Sequence, residues 1–216
     1  MIIVVGGTKG GTGKSTVATN LAVIRSNEDK DILLIDADEQ ETSADFTIIR
    51  NKALENGAGY TCIQLTDAAV RTETLRLKNK YDDIIIDTGG RDSTSQRAAL
   101  SVADVLLVPF APRSFDVWTI EKVSSLVSEI QLINPTLKVF AFISKGDPRG
   151  QENEQAANFL KENNSIEFID TPLIYRKAFG DAAGKGLAVT EQKPEDAKAI
   201  NEIMTLYRHL FDVIMA

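Results

Sequence analysis

The chain has 216 residues, 43% hydrophobic and 25% charged, ordinary for a globular protein with ample length to bury a core. Its formal net charge of −7 argues against a surface that attracts nucleic acid everywhere, so any DNA contact has to come from a local patch. A single cysteine, Cys62, and a single histidine, His209, leave no basis for an internal disulfide framework, a cysteine metal site or a Ser-His-Asp hydrolase.

The first element is an apolar run, Ile2-Ile3-Val4-Val5, followed by Lys9-Gly10-Gly11-Thr12-Gly13-Lys14-Ser15-Thr16 and then by Val17, Leu21 and Ile24 at helical spacing. This reads as a strand, a phosphate loop and a helix. Backbone N–H groups of such a loop face bound phosphates, glycines let the main chain approach, and the helix adds its positive N-terminal end. Lys14 is then placed to reach the β- and γ-phosphates, and the Ser15 hydroxyl to ligate Mg²⁺. The strict loop pattern asks for glycine at position 8, where the chain has Thr8. The stretch resembles instead the deviant K-G-G-x-G-K-[ST]-T loop of the ParA/MinD family of partitioning and positioning ATPases. The resemblance implies that residues 9–16 bind nucleotide and that Lys9 crosses an ATP-sandwiched homodimer to the partner's nucleotide.

Residues 31–36 form a short apolar run ending in Asp36, as expected of a parallel strand buried on both faces. Asp36-Ala37-Asp38-Glu39-Gln40 resembles the family's D-x-D-x-Q segment, which implies that Asp36 supports the Mg²⁺ end of the site and that Asp38 orients the attacking water. Carboxylates at a strand's C-terminal edge stand where open α/β sheets bind ligands. Thr42 or Ser43 is expected to cap a helix running to about residue 56, with Gly57 as its stop. A strand follows over 60–65, and then a helix capped by Asp67 whose later part, 71–80, is a basic solvated face.

Residues 84–87 repeat the pattern of an apolar run closed by a carboxylate, and Asp87 resembles the Walker B residue that holds Mg²⁺ through water. Thr88-Gly89-Gly90 stands at the family's second switch, where paired glycines predict a mobile loop. Arg91 and Asp92 lie outside that pattern, as a surface ion pair or as part of a dimer face. A helix over 93–103 and a strand over 105–108, stopped by Pro109, come next. After the loop of residues 110–114, the long helix over 116–133 directs Val117, Ile120, Val123 and Val127 to the core and leaves Trp118 to the core or a partner. A strand over 138–143 leads to Ser144-Lys145-Gly146-Asp147, where the asparagine that often contacts adenine in the family is missing.

A helix over 151–163 and a strand over 166–169 precede Thr171-Pro172-Leu173-Ile174-Tyr175-Arg176-Lys177-Ala178-Phe179, which resembles the family's T-P-I-x-x-R-x-A-F segment. Gly184, Gly186, Val189 and Glu191 echo its G-x-x-V-x-E. The resemblance therefore spans the chain and implies that Pro172 lies along the adenine, with Arg176, Lys177 and Lys185 as a local DNA-binding cluster. The closing helix over 194–215 puts Ile200, Ile203, Met204, Tyr207, Leu210, Phe211 and Ile214 on one stripe, the spacing of core packing. It lacks the flanking cations of a membrane anchor, and no apolar run approaches the roughly 20 residues of a bilayer span.

The alternating pattern predicts one α/β domain over residues 1–216, a doubly wound, mainly parallel sheet flanked by helices, of the P-loop NTPase (SIMIBI) type. The resemblance implies a cytoplasmic, Mg²⁺-dependent ATPase that dimerises on ATP, binds nonspecific DNA on the nucleoid and is stimulated by a centromere-binding, ParB-like or adaptor protein. Because the first strand begins at Ile2, the short subclass without an N-terminal DNA-binding domain is expected. No arginine finger stands at the family's positions; since such a group is worth roughly 10³ to 10⁵ in rate, slow unstimulated turnover is expected. The alternatives are a positioning ATPase for another cargo and a phosphate-loop ligase of the dethiobiotin-synthetase kind.

Overall fold

The computed structural model describes residues 1–112, 117–149 and 151–213. The strands are β1 (Ile2–Val5), β2 (Ile32–Ala37), β3 (Thr61–Gln64), β4 (Asp83–Thr88), β5 (Val105–Phe110), β6 (Lys138–Gly146), β7 (Glu167–Phe168) and β8 (Leu173–Ile174). The first seven lie in the order β3-β2-β4-β1-β5-β6-β7, each parallel to its neighbour, and β8 pairs with the far end of β6. The expected parallel sheet is therefore present, with β1 near its centre.

Helices cover both faces: α1 (Lys14–Ser26), α2 (Thr42–Ala53), α3 (Asp67–Leu77), α4 (Thr94–Leu100), α5 (Val117–Gln131), α6 (Glu152–Lys161), α7 (Lys177–Ala183) and α8 (Ala197–Arg208). Strand alternation divides the core in two. Ile2, Val4, Ile84, Ile86 and Leu106 point to the side covered by α3 to α6, whereas Ile3, Val5, Ile85 and Leu107 point to the side covered by α1 and α8. Continuous apolar runs are what a sheet buried on both faces requires. Among the described residues no helix is long and apolar enough to cross a membrane.

Several boundaries differ from expectation for identifiable reasons. Pro109 does not stop β5, which continues to Phe110. The β1 ladder has already ended at the Val5 to Leu107 pair, so a residue without an N–H costs nothing on that side. The second helix ends at Ala53, because Leu54 turns extended, with φ −114° and ψ 133°. Asp67 does not cap α3; it is the helix's first residue, at φ 51°, and its N–H is held by the Ser95 hydroxyl at 2.8 Å. That helix ends at Leu77, short of Lys78 and Lys80. Ser93 does cap α4, accepting from the Gln96 N–H at 3.2 Å, but the helix closes at Leu100. The last helix begins at Ala197 under an Asp196 cap and passes after Arg208 into a π turn, His209–Val213. Its buried stripe of Ile203, Leu206, Tyr207 and Leu210 packs on the sheet. The expectations for residues 113–116, for the side chains of Val117 and Trp118, and for Ile214 lie outside the described residues.

The G-x-x-V-x-E echo has a structural use. The Arg50 guanidinium of α2, 3% exposed, donates to both carboxylate oxygens of Glu191 at 2.6 and 2.8 Å and to the carbonyls of Ala58 and Gly186. Val189 donates its N–H to Asn20 of α1. Removing one partner of a buried pair strands the other charge. Glu191→Ala is therefore expected to lower unfolding free energy by about 3 kcal/mol, measured by urea denaturation; Glu191→Gln, which keeps an acceptor for the guanidinium, loses less.

Candidate functional site

Strand register assembles the site. Asp87 at the end of β4 is paired on one side with Val5, the last residue of β1, and on the other with Asp36 of β2. The loop leaving β1 and both carboxylates thus share one row at the C-terminal edge of the sheet, where open α/β folds place ligands. Gly13, at φ +97°, turns the chain directly into α1, so that Lys14 stands at the helix N-terminus.

Asp87 is fully buried. Burial pushes its carboxyl up to about 7, against the pull of the Ser43 and Ser15 hydroxyls; the nearby Asp36 charge raises it further, and Lys14 lowers it. Ser43 donates to its Oδ2 at 2.7 Å, while Oδ1 is buried with no hydrogen-bond partner. A buried carboxylate oxygen left open beside a serine hydroxyl fits a hard divalent cation. Among the described residues no group of three or more His, Cys, Asp or Glu could hold a metal alone, so a cation here draws its remaining ligands from phosphate oxygens and water. Lys14 is also buried. Desolvation pulls its ammonium below the usual lysine range, countered by Asp87 and Asp38, and its Nζ donates to the Lys9 carbonyl at 2.9 Å.

Asp36 is tied to backbone N–H groups of the loop and helix that follow it. Its Oδ2 accepts from the Ala44 N–H at 2.8 Å and its Oδ1 from the Asp38 N–H at 3.1 Å. A strand carboxylate therefore satisfies the start of α2, where Glu41 holds a left-handed turn and makes no side-chain cap. Neither Thr42 nor Ser43 caps the helix, because the Ser43 hydroxyl is committed to Asp87. Burial raises the Asp36 pKa and these backbone N–H groups hold it down.

The loops that follow β2 and β4 meet at the glycine-rich loop after β1. Asp38 is half-buried, with Oδ1 accepting from the Gln40 N–H at 3.2 Å, and it lines a cavity of about 470 Å³ together with Gly10, Gly11, Gly13, Lys14, Ser15 and Thr16. Gly90 packs directly on the main chain of Gly10. A Cβ there would lie 2.5 Å from the Gly10 N and Cα, so only glycine permits the contact. Arg91 and Asp92 do not pair with each other. Arg91 reaches Glu39 at 3.5 Å, and Asp92 accepts a bidentate Arg97 at 2.7 and 2.6 Å.

Beside the loop, a second cavity of about 260 Å³ is lined by Gly13, Thr16, Ser144, Lys145 and residues 173–177 of the second motif. Its place next to the phosphate loop suits a nucleotide base. Pro172 itself is exposed and not part of this lining; Leu173, Ile174 and Tyr175 form the wall. Arg176 is held by Glu202 of α8 through Nε and Nη2, with the shortest contact 2.6 Å, and Lys177 pairs loosely with Asp181 at 3.5 Å. The basic cluster is thus divided: Arg176 stitches β8 to α8, while Lys177 and Lys185 are exposed. The residue that sequence reasoning missed is Lys145. A register shift in β6 puts it at φ 55°, and its Nζ donates to the Gly11 carbonyl at 2.7 Å, bridging both cavities. The signal was the lysine standing just past the apolar part of the strand.

A family model described as "CobQ/CobB/MinD/ParA nucleotide binding domain" matches residues 3–189. Among curated proteins, the chain is 28% identical over 192 residues to the maintenance of carboxysome distribution protein A of Gloeobacter kilaueensis, covering 88% of this chain and 84% of the relative. It is 27% identical over 189 residues to the protein ParA of Rhizobium radiobacter, covering 82% and 80%. Among solved structures, a putative plasmid partition protein of Borrelia burgdorferi bound to AMPPNP superposes with a TM-score of 0.76 at 18% identity, over 97% of this chain and 99% of that one. Cobyrinic acid a,c-diamide synthase of Mycobacterium smegmatis with bound ATP analogue and magnesium gives 0.75 at 17%, over 97% and 95%. At these identities the structural likeness shows the fold alone.

The Gly90 contact is directly testable. Gly90→Ala forces the Gly10 backbone to move, an overpacking of about 1–3 kcal/mol concentrated on the loop, so affinity for a fluorescent ATP analogue is expected to fall about tenfold. The same displacement should lower the melting temperature by a few degrees; equal affinity in the variant would show that the contact is dispensable.

Proposed function

The chain belongs to the CobQ/CobB/MinD/ParA nucleotide-binding domain family, and on that premise we propose that it is a Mg²⁺-dependent ATPase working as an ATP-driven dimerisation switch in DNA partition. The observation that carries this reading is the convergence of Lys14, Ser15 and Asp38 on one cavity, with the buried Asp87 in the field of Lys14. In the reaction, a water oxygen bonds to the γ-phosphorus and the bond from the β,γ-bridging oxygen breaks. That electron pair leaves with ADP, and the water's proton passes to phosphate and solvent. A bound Mg²⁺ neutralises phosphate charge. Ser15 and Asp87 are the residues that would hold it, directly or through water.

The residues 9–16 backbone cradles the phosphates, and the Lys14 ammonium exchanges the Lys9 carbonyl for phosphate oxygens. Asp38, whose carboxylate faces the cavity from the first switch, orients the water, and Asp36 keeps that switch in place through α2. Lys9 is assigned to the partner subunit's nucleotide by the resemblance of its loop. The ATP-bound homodimer binds nonspecific DNA through phosphate contacts, for which Lys177 and Lys185 are the exposed candidates, and a ParB-like or adaptor protein stimulates turnover. Such DNA retention depends steeply on salt. On this reading the protein resides in the cytoplasm and associates with the nucleoid when loaded with ATP.

A second reading keeps the switch and changes the cargo. The likeness to a carboxysome-distribution protein favours it, as does the engagement of Arg176 by Glu202, which removes one cation from the DNA cluster. The ligase alternative shares the fold and has no use for Lys9 in a second subunit.

Size analysis with ADP and with ATP separates these. ATP, not ADP, should dimerise the wild type, Asp38→Ala should accumulate the dimer by blocking hydrolysis, and Lys9→Ala should stay monomeric while still binding ATP. Wild type that remains monomeric with ATP would sink the switch and leave the ligase. A dimer that is not retained on DNA even at low salt would move the cargo away from nucleic acid.

A further inference from the structure

Arg91 lies outside the motifs that the family resemblance assigns, yet it lines the same cavity as Lys14, Ser15 and Asp38. The backbone on both sides of it is fixed. Gly90 is pressed against the Gly10 main chain, and Asp92 is clamped by Arg97, which in turn reaches Glu129 of α5 at 2.7 Å. The side chain between these anchors is 78% exposed and touches Glu39 at 3.5 Å, a long contact between two solvated groups that holds an arginine only weakly. Glu39 adjoins Asp38 in sequence, and Asp38 lines the same cavity as Arg91.

We propose that Arg91 is a catalytic residue acting in cis: it leaves Glu39, binds the γ-phosphoryl oxygens of the nucleotide in its own phosphate loop, and compensates the charge that shifts onto the phosphates as water displaces ADP. The inference rests on the ATPase reading above. Phosphate outcompetes a single exposed carboxylate for this group, because the guanidinium fork meets two oxygens at once and the phosphate carries more charge. Of the other cations lining the cavity, Lys14 donates to the Lys9 carbonyl and Lys145 to the Gly11 carbonyl, so Arg91 adds to the charge that Lys14 brings to the phosphates. Cis action follows from the anchoring, since Gly90 ties this stretch to the phosphate loop of the same chain. The chain therefore carries an arginine that the family positions lack, and its basal turnover depends on it.

The test compares wild type with Arg91→Ala and Arg91→Lys in single-turnover hydrolysis of labelled ATP with Mg²⁺, in ADP affinity, and in trapping of ADP by fluoroaluminate, which mimics the transferring phosphoryl group. Arg91→Ala is expected to hydrolyse about 10²-fold or more slowly and to lose trapping, with ADP affinity unchanged within about threefold. Arg91→Lys, which keeps charge without the fork, should recover only part of each. Because the residue is exposed, folding is preserved, and unchanged ADP binding confirms it. Equal hydrolysis and trapping in wild type and Arg91→Ala would overturn the assignment while leaving the ATPase intact; a wild type that neither binds nor hydrolyses ATP would remove both. Hydrolysis restored on mixing Arg91→Ala with Asp38→Ala, which keeps the arginine and lacks the carboxylate assigned to the water, would place the arginine in the second subunit and overturn cis action.

Discussion

Two carboxylates, Asp36 and Asp87, occupy directly paired positions on neighbouring buried strands, 2% and 0% exposed. Like charges that close, away from water, cannot both ionise without compensation. The surrounding structure supplies it in two ways. Backbone N–H groups from the first switch and from α2 surround Asp36, which requires that loop to curl and that helix to start where it does. Asp87 receives the Ser43 hydroxyl and the field of a buried lysine, and its second oxygen stays open. The geometry of the loops around the cavity follows from neutralising these two groups, and the unequal compensation marks Asp87 as the one prepared for a cation.

The sheet was legible because its strands announce themselves: an apolar run closed by Asp36 or Asp87 needs no tertiary information to be read as a buried parallel strand with a carboxylate at its edge. What escaped was decided by partners far away in the chain. Ser43 looked like a local cap, but the capping is done by Asp36 from another element, which frees the serine for Asp87. Pro109 looked like a terminator; whether it interrupts a strand depends on where β1 stops pairing. Arg176 has a partner that charge in a sequence does not announce, Glu202, 26 residues later. A two-residue strand and a seven-residue helix, β8 and α7, carry too little periodicity to be seen at all.

The second helix links these findings into one mechanical statement. At its N-terminal end it is joined to Asp36 through Ala44 and to Asp87 through Ser43. Further along, Thr47 bonds the Tyr60 hydroxyl at 3.0 Å, and Arg50 binds Ala58, Gly186 and Glu191. A close-packed helix held this way does not bend locally; it shifts as a body or stays. Any rearrangement at Asp87 that costs the Ser43 bond is therefore felt at Gly186 and Glu191, and through Val189 and Asn20 at α1, the helix that begins with Lys14. The solvent side of α2 carries Ile48 and Ile49, 51% and 41% exposed. Asp87, the helix that begins with Lys14 and this apolar surface are thus joined through one element.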